Sequence, residues 1–403
     1  MSEQMYGIAI LGFGVVGSGV AEVLDKNADR VSKNAGKELR LKYILDVRDF
    51  PDSPYSDKMI KDFSVIENDP EVRVVAETIG GVGVAQEFTR RALAAGKSVV
   101  TSNKELVAKF GCELIKLAEE KGVNYLFEAS VGGGIPILRP IIQCLAANRI
   151  TEIYGILNGT TNYILTQMIK EKLPFDTALS QAQAAGYAEA DPTSDIDGID
   201  ACRKISILAD LTFGRNLEPD WIKTVGIRTV TAQDVKLAAM GGFKIKLLGR
   251  AVQDDDGLIS AYVAPHLVPY DNMLSGVEGV MNGIIVRGNA LGDAMFYGAG
   301  AGKLPTASAV VADIIDAAKH EKLRKLVSWD DGDYAMMRDS KELKSRWYVR
   351  LAANDENSAS FTAEQKLGET DGYAGYILPK VSKVAIDAAL AGLEVLTLFR
   401  ILD

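Results

Sequence analysis

Close to its start the chain sets three glycines between an apolar strand and a helix, and few folds accommodate that order. Tyr6-Gly-Ile-Ala-Ile-Leu11 reads as a buried parallel strand, Gly12-Phe13-Gly14-Val15-Val16-Gly17 follows it, and Ser18-Gly-Val-Ala-Glu-Val-Leu24 has helical periodicity. Glycines at this spacing, with a strand before and a helix after, form a phosphate-cradling turn. Gly12 makes the tight turn, Gly14 lets the backbone approach a pyrophosphate, and Gly17 lets the helix pack closely on the strand. The helix N-terminus then attracts the phosphate charge. A purely structural glycine turn is the plainer alternative.

Further strands are predicted over Leu39–Val47, Val72–Glu77, Ser98–Thr101 and Asn124–Glu128, with a helix over Gln86–Ala95. Alternating strand and helix predicts an α/β fold, a Rossmann-type doubly wound parallel sheet. It spans residues 1–135 and is completed by about 300–318. Ligands bind beyond the carboxyl ends of such strands. By position, Ile79-Gly80-Gly81, Ser102-Asn103-Lys104 and Glu128 become candidate site residues. After the second strand comes Asp46-Val-Arg48-Asp49. An acid there favours NAD through the ribose hydroxyls, whereas Arg48 favours the 2′-phosphate of NADP. The residues leave both open.

Residues 136–299 read as an α+β domain for substrate binding and dimerisation, with helices at Ile137–Ala147 and Asn162–Lys172. Its strands, Ile150–Leu157, Ile245–Val252 and Leu258–Val268, are long and apolar and need a covered face, which predicts a subunit interface and a homodimer or homotetramer. A late glycine cluster, Gly298–Ala307, opens a helix at Ser308–Ala318. Residues 319–346 read as a charged linker, and 347–403 as a small α+β unit ordered strand, helix, loop, helix, strand.

Bulk properties exclude several classes. A chain of 403 residues, 47% hydrophobic and 25% charged, suits two or three soluble domains. The net charge of −9 argues against nucleic acid as a partner. Cys112, Cys144 and Cys202 form no CxxC pair, so neither zinc site nor disulfide framework is expected. Cys202 reads as a buried structural thiol. No apolar stretch reaches ~18 residues, the length that spans a membrane. The start lacks a basic region followed by an apolar one, so no signal peptide is read and the cytoplasm is expected.

The segment Glu189-Ala-Asp-Pro-Thr-Ser-Asp195-Ile-Asp-Gly-Ile-Asp200-Ala-Cys-Arg-Lys204 crowds five carboxylates into twelve positions before an apolar helical run. A solvated acidic loop is one reading. A calcium loop is another, but with Gly198 at the turn glycine, Lys204 falls where the bidentate glutamate belongs. An acid/base site is the third. Asp200 and Lys204, four apart, share one helical face. His266, in or beside a strand, and His320, in the charged linker, are poorly placed for proton transfer, so lysine is left as the candidate. A free lysine has a pKa of ~10.4; burial lowers it and nearby carboxylates raise it. Lys104 is a second candidate. The dipole at a helix N-terminus disfavours a cation, so function explains its position better than stability does.

With these residues assembled, the chain resembles homoserine dehydrogenase over roughly residues 6–318. The likeness rests on the glycine turn, Thr101-Ser-Asn-Lys104, Glu128-Ala-Ser-Val-Gly-Gly-Gly-Ile-Pro136, Asn158-Gly-Thr-Thr-Asn-Tyr-Ile164, Ala185-Gly-Tyr-Ala-Glu-Ala-Asp-Pro192, Asp195–Lys204 and Gly298–Ala307. The resemblance implies reversible NAD(P)-dependent reduction of aspartate 4-semialdehyde to homoserine, a step toward threonine, methionine and isoleucine. Lys204 matches the proposed proton donor and acceptor, Lys104 a lysine near the reacting oxygen and cofactor, and Asp200 the aspartate that orients the catalytic lysine. Glu189 matches the glutamate for the substrate's amino group. Gly159, Thr160 and Tyr187 fall in the motifs that wall the pocket, and Asp195 is placed with them. Phe13, Val15, Val16 and Gly302 match cofactor contacts, and Arg48 matches the family's arginine, which leans the reading to NADP.

Glu128, Val131, Gly133 and Ile135 match a monovalent-cation site for sodium or potassium, where a carboxylate and backbone carbonyls suit a hard cation. Trp347-Tyr-Val-Arg-Leu351 and Val384–Leu396 resemble the first strand and last helix of an ACT regulatory domain with its middle strands shortened or missing. Threonine feedback and oligomerisation are both open for that tail. A dinucleotide-sensing protein without turnover is the rival of a different class; it would need the glycine loop but not the lysines. Aspartate-semialdehyde dehydrogenase would need a nucleophilic cysteine with a histidine base, and no cysteine here has that setting.

Overall fold

A computed structural model describes residues 6–321, 323, 327–353 and 362–403. In chain order the first elements are β1 (Tyr6–Leu11), α1 (Val15–Lys26), α2 (Ala28–Ala35), β2 (Leu39–Leu45), β3 (Met59–Ile60), α3 (Phe63–Asn68), β4 (Val72–Glu77), α4 (Gly83–Ala94), β5 (Ser98–Thr101), α5 (Lys104–Lys121), β6 (Tyr125–Leu126) and α6 (Leu138–Gln143). There follow β7 (Ile150–Ile156), α7 (Gly159–Lys170), α8 (Phe175–Ala184), α9 (Thr193–Ile196), α10 (Ile199–Phe213), β8 (Lys223–Thr224), α11 (Ala232–Met240), β9 (Phe243–Gln253), β10 (Ile259–Pro269), β11 (Met281–Gly288) and β12 (Gly292–Ala299). The chain closes with α12 (Lys303–Lys319), β13 (Ser345–Ala352), β14 (Gln365–Thr370), β15 (Tyr373–Val381), α13 (Lys383–Ala389) and β16 (Thr397–Ile401). No helix among the described residues is long and apolar enough to cross a membrane.

Two compact units emerge. The first comprises Met1–Ala147, Asp210–Glu218 and Gly298–Gly332; the second comprises Asn148–Ala209, Pro219–Tyr297 and Asp333–Asp403. The first unit carries the expected doubly wound sheet, six parallel strands in the order β3-β2-β1-β4-β5-β6 among the described residues. β1 lies in its middle and buries all six of its residues, as a strand covered on both faces must. The order reverses between β1 and β4, which is where such sheets bind ligands. α12 closes this unit against α1. Gly19 makes that approach possible, because a β-carbon there would lie 2.8 Å from the Lys303 carbonyl oxygen and 3.0 Å from Ala307.

The second unit is built on a mixed sheet with β12-β11-β7-β9-β10-β16-β13-β15-β14 as its path and β8 added at β10. β9 and β10 pair antiparallel from Phe243–Pro269 to Gln253–Ile259. Tyr154, Ile156, Leu248, Val268 and Ile285 pack a core on this sheet. His266 is fully buried in it. Its Nδ1–H donates to Ala264 O at 2.9 Å, so Nε2 receives the Tyr262 hydroxyl at 3.2 Å. Burial pushes this imidazole down to about 3, which keeps it neutral and structural.

The tail departs from the expected order. Between β13 and α13, β14 and β15 form an antiparallel hairpin, so middle strands are present, while residues 354–361, where the expected first helix of the tail would begin, lie outside the described residues. Asp371 and Gly372, at φ 53° and 80°, make its turn; both central residues of a tight hairpin turn need positive φ. The expected helix over Val384–Leu396 ends by Ala389. Rather than folding apart, the tail extends the second unit's sheet, β16 pairing parallel with β10 at His266–Arg400 and Leu267–Ile401. A buried polar knot holds it. Asp234 closes a capping box with Thr231 at the start of α11. Its carboxylate also accepts Arg350 Nε at 2.7 Å and the Tyr348 hydroxyl at 3.0 Å.

Breaking a buried pair by removing one partner leaves an uncompensated charge and costs on the order of 3–5 kcal/mol. Asp234→Ala, which strands the buried Arg350 guanidinium, is expected to lower stability by about that amount. Thermal and urea unfolding measure it; a wild-type melting curve would remove the knot from the account.

Candidate active site

The glycine turn is built as its spacing requires. Gly12 sits at φ 86°, and a β-carbon on Gly17 would collide with the Gly12 carbonyl oxygen and crowd the Thr78 hydroxyl. At Gly14 the space is open, with Arg48 Nη2, at 4.0 Å, the nearest atom to such a carbon. The middle glycine is thus bare toward solvent, where a pyrophosphate would come, and α1 begins at the next residue. Val15 is exposed, whereas Phe13 is buried edge-to-face on Phe50.

Beside this turn, at the end of β2, Asp46 accepts the Phe13 N–H at 2.6 Å. It also accepts Arg48 through Nε at 3.1 Å and Nη2 at 2.9 Å. The Arg48 hydrogen bonds hold the Asp46 carboxyl down to about 2. Arg48 itself remains largely exposed, its guanidinium 5.1 Å from the Phe50 ring centre.

The strand ends of β4 and β5 are clamped together. Glu77, fully buried, accepts the Thr101 hydroxyl at 2.6 Å and the Ile79 N–H at 2.7 Å. Burial raises its carboxyl. Asn103 caps α5 through Leu106 N and donates to Gly81 O at 2.6 Å. This fixes the Ile79-Gly80-Gly81 loop beside Ser102 and Asn103 and makes Lys104 the first residue of α5, as expected. Gly302 caps α12 in the same unit.

Glu128 is also buried here. Its Oε1 accepts Ile137 N at 2.6 Å and Leu138 N at 3.0 Å, and its Oε2 accepts Arg139 N at 2.7 Å. It is therefore the acceptor for the first turn of α6. A carboxylate has about four acceptor directions, so three N–H donors leave one for a cation. The Val131–Ile135 loop is held close to the late glycine cluster by Gly134 N donating to Ala299 O at 3.0 Å. Gly133 packs so tightly there that a β-carbon would lie 2.5 Å from Gly300 O. One carboxylate direction, with the backbone carbonyls of the loop that follows Glu128 in the chain, offers the kind of oxygen donor that a hard cation takes.

The second unit gathers the acid/base cluster. Lys204, buried on α10, donates from Nζ to Asp200 Oδ2 at 2.7 Å and to Leu157 O, just past β7, at 2.8 Å. Asn158 caps α7 through its Oδ1 on Thr161 N. Its amide donates to Asp200 Oδ2 at 2.8 Å and to Asp195 Oδ1 at 2.6 Å. Burial, with Asp200 nearby, pushes the Asp195 carboxyl up. Thr160 donates to Tyr187 O at 2.6 Å, and Tyr187 lies against the Tyr163 ring with 45% of its surface exposed. Gly159, the first residue of α7, packs against the Val280 backbone.

The acid run thus divides. Asp195, Asp200 and Lys204 form one network, while Asp197 pairs with Arg228 and Asp191 accepts Thr193 N. Glu189 stands apart, exposed, with its backbone carbonyl taken by Gln183. Sequence reasoning missed Asn158 as a functional residue, although an asparagine opening a helix next to a strand was visible. It also missed Glu77, whose signal was a carboxylate ending an otherwise apolar strand. Cys202 is buried, its thiol pushed up by burial, as a structural cysteine should be.

A doubly wound sheet with a bare phosphate turn, and a buried lysine–carboxylate network in the second unit, define an NAD(P)-dependent oxidoreductase acting on a CH–OH group. The profile of the family "Homoserine dehydrogenase, NAD binding domain" matches residues 12–128, and that of "Homoserine dehydrogenase" matches 136–315. The chain belongs to the homoserine dehydrogenase family. It is 43% identical over 321 residues to the homoserine dehydrogenase of Bacillus subtilis, covering 78% of this chain and 73% of that one. With that of Pseudomonas aeruginosa the identity is 38%, covering 96% and 95%. The crystal structure of a homoserine dehydrogenase from Thiobacillus denitrificans superposes with a TM-score of 0.89 at 35% identity, covering 99% and 98%. A hyperthermophilic archaeal homoserine dehydrogenase in complex with NADPH superposes at 0.65 with 30% identity, covering 78% and 97%.

The two outer glycines of the turn support backbone and the middle one leaves room for ligand, so their variants should separate. Gly17→Ala is expected to lose about 1–3 kcal/mol through overpacking. Gly14→Ala should keep the wild-type melting temperature and lose dinucleotide affinity, read by fluorescence titration with NADPH and NADH. Unimpaired binding by Gly14→Ala would contradict its assignment.

Proposed function

We propose that this protein catalyses the reversible reduction of L-aspartate 4-semialdehyde to L-homoserine, with Lys204 as the proton donor and acceptor. The observation that carries the reading is the Lys204 ammonium, buried and aimed by Asp200 and the Leu157 carbonyl. The bound nicotinamide cofactor supplies the hydride, or takes it up in the reverse direction. In reduction, Lys204 Nζ gives a proton to the oxygen that gathers negative charge; in oxidation it takes that proton back from the hydroxyl. A preorganised cation near a developing alkoxide favours the transition state over the ground state. Asp200 positions Lys204, and Asn158 ties Asp200 to Asp195. Lys104 is assigned a place near the reacting oxygen and the cofactor on the family resemblance.

An amino-acid substrate brings an ammonium that needs a carboxylate. Glu189 suits it, being exposed and in no ion pair among the described residues. Gly159, Thr160, Tyr187 and Asp195 complete the substrate wall in this reading. NADP is the favoured cofactor. The Asp46 oxygens are engaged by Phe13 N and Arg48, which weakens Asp46 as an acceptor for ribose hydroxyls, and the exposed Arg48 can meet a 2′-phosphate. Gly12, Phe13, Gly14, Val15, Val16, Gly17, Ile79, Gly80, Ser102, Asn103 and Gly302 form the rest of the proposed dinucleotide site. Sodium or potassium is assigned to Glu128 with the carbonyls of Val131, Gly133 and Ile135. The reaction is placed in the cytoplasm, on the route to threonine, methionine and isoleucine.

Initial rates with homoserine test this reading. NADP should be reduced faster than NAD, and sodium or potassium should alter the rate; equal rates with both cofactors would remove the preference. Adding threonine separates feedback through the tail from an oligomerisation role. Lys204→Ala is expected to lose about 10²–10⁴-fold in turnover, the contribution of a positioned acid/base group, and to be less stable because buried Asp200 loses this partner, so the rate is read on protein that circular dichroism shows to be folded. Full activity in that variant would falsify the role of Lys204, and no homoserine-dependent reduction in the wild type would overturn the whole reading. A homodimer or homotetramer belongs to the same proposal. β12 leaves the second unit's sheet with an outer edge, on which Tyr297 is exposed, and light scattering at a monomer's mass would exclude association.

A further inference from the structure

We propose that a cavity at the seam between β10 and β16, in the second unit, binds a small carboxylate with an apolar body and no amino group. The cavity exists because β10 loses its neighbour there. On that edge Tyr262 and Val263 pair with β8, and His266 and Leu267 pair with β16. Ala264 and Pro265 between them have no strand partner on that edge among the described residues. Proline has no N–H to donate, and the Ala264 carbonyl is taken by the His266 ring. The strands therefore part, leaving a cavity of about 290 Å³, near the lower end of the ~300–1,000 Å³ range of small-ligand sites.

Its walls are apolar, with Val225, Val263, Trp347, Leu398 and Phe399 among them. The charges that reach it are all positive. Lys223, Lys341, Lys383 and Arg400 line it and no acidic side chain does, although the chain as a whole carries −9. Arg400 is 6% exposed and firmly oriented. Its guanidinium donates to Leu343 O at 3.1 Å, Ser345 Oγ at 2.8 Å and Ser340 O at 2.5 Å. It also lies 4.7 Å from the Tyr262 ring centre and 4.5 Å from that of Trp347. These partners are neutral. Burial, with Arg250 nearby, weighs against the Arg400 charge and Asp339 only partly offsets this, and among the described residues no carboxylate forms an ion pair with Arg400, Lys223 or Lys341. Lys383 pairs with Asp387 at 2.7 Å.

A buried cation without a carboxylate favours an anionic ligand. The apolar walls select against small, strongly hydrated anions, whose desolvation they cannot repay. An α-amino acid is disfavoured too, since its ammonium would meet four cations and no acceptor carboxylate. An aliphatic or aromatic monocarboxylate remains, its carboxylate toward Arg400 and Lys341 and its body against Trp347 and Phe399.

Calorimetric titration of the full chain with 3-phenylpropionate, 3-phenylpropanol, L-phenylalanine and inorganic phosphate tests this. The carboxylate should bind and change Trp347 emission, and each of the other three should bind at least about tenfold more weakly, a difference of ~1.4 kcal/mol. Two exposed positions give variants that keep the fold: Lys341→Glu, which reverses a charge at the cavity, and Val225→Trp, which fills its mouth. Both should weaken 3-phenylpropionate binding by about tenfold or more and leave dinucleotide affinity unchanged. Equal binding of the alcohol, no binding of the carboxylate, or undiminished affinity in both variants would each overturn the proposal.

Discussion

A carboxylate taken out of water must be met by donors, and much of this molecule is arranged around that requirement. Glu77, Glu128, Asp200 and Asp234 are all buried, and each stands where a regular element begins or ends. Glu77 turns the chain after β4 by receiving Ile79 N. Glu128 starts α6 by receiving three successive amides. Asp200 fixes Lys204 and Asn158, and Asp234 binds the tail to α11. In each case the acid converts a loop that could wander into one with a single arrangement. Any of these loops that bears chemistry inherits that rigidity.

The same rule explains why the site residues differ in character. Lys204 and Asp200 are held before any ligand arrives, since their charges compensate each other inside the protein. A group preorganised in this way needs little rearrangement when charge develops nearby. Glu189, Tyr187 and Arg48 are exposed, Arg48 being held on Asp46 with part of its guanidinium toward water. In the proposed site the buried groups would supply a fixed field and the exposed groups selectivity.

What the sequence disclosed follows from how local each signal is. The glycine turn, the alternation of strand and helix in the first unit, and the four-residue spacing of Asp200 and Lys204 are short-range patterns, and the structure reproduces them. The roles of Asn158 and Glu77 depend on partners far along the chain, Asp195 and Asp200 for one and Thr101 for the other, and no local pattern announces them. Gly19 looked like an ordinary helical residue until α12 was found against it. The β14–β15 hairpin was legible in principle, because Asp371-Gly372 is a strong turn signal, but its flanking strands are half polar and lack clear alternation. Pairing of the tail with β10 joins positions more than a hundred residues apart, beyond the reach of periodicity.

That pairing gives the tail a different standing from a module on a tether. β16 covers β10 at His266 and Leu267, and Leu402 N donates to Leu267 O, so cutting the chain before β13 would uncover that stretch of the β10 edge. Bare edges recruit other strands. A truncated form would therefore carry a newly exposed stretch of strand edge as well as a shorter chain, whether or not any signal passes through the tail.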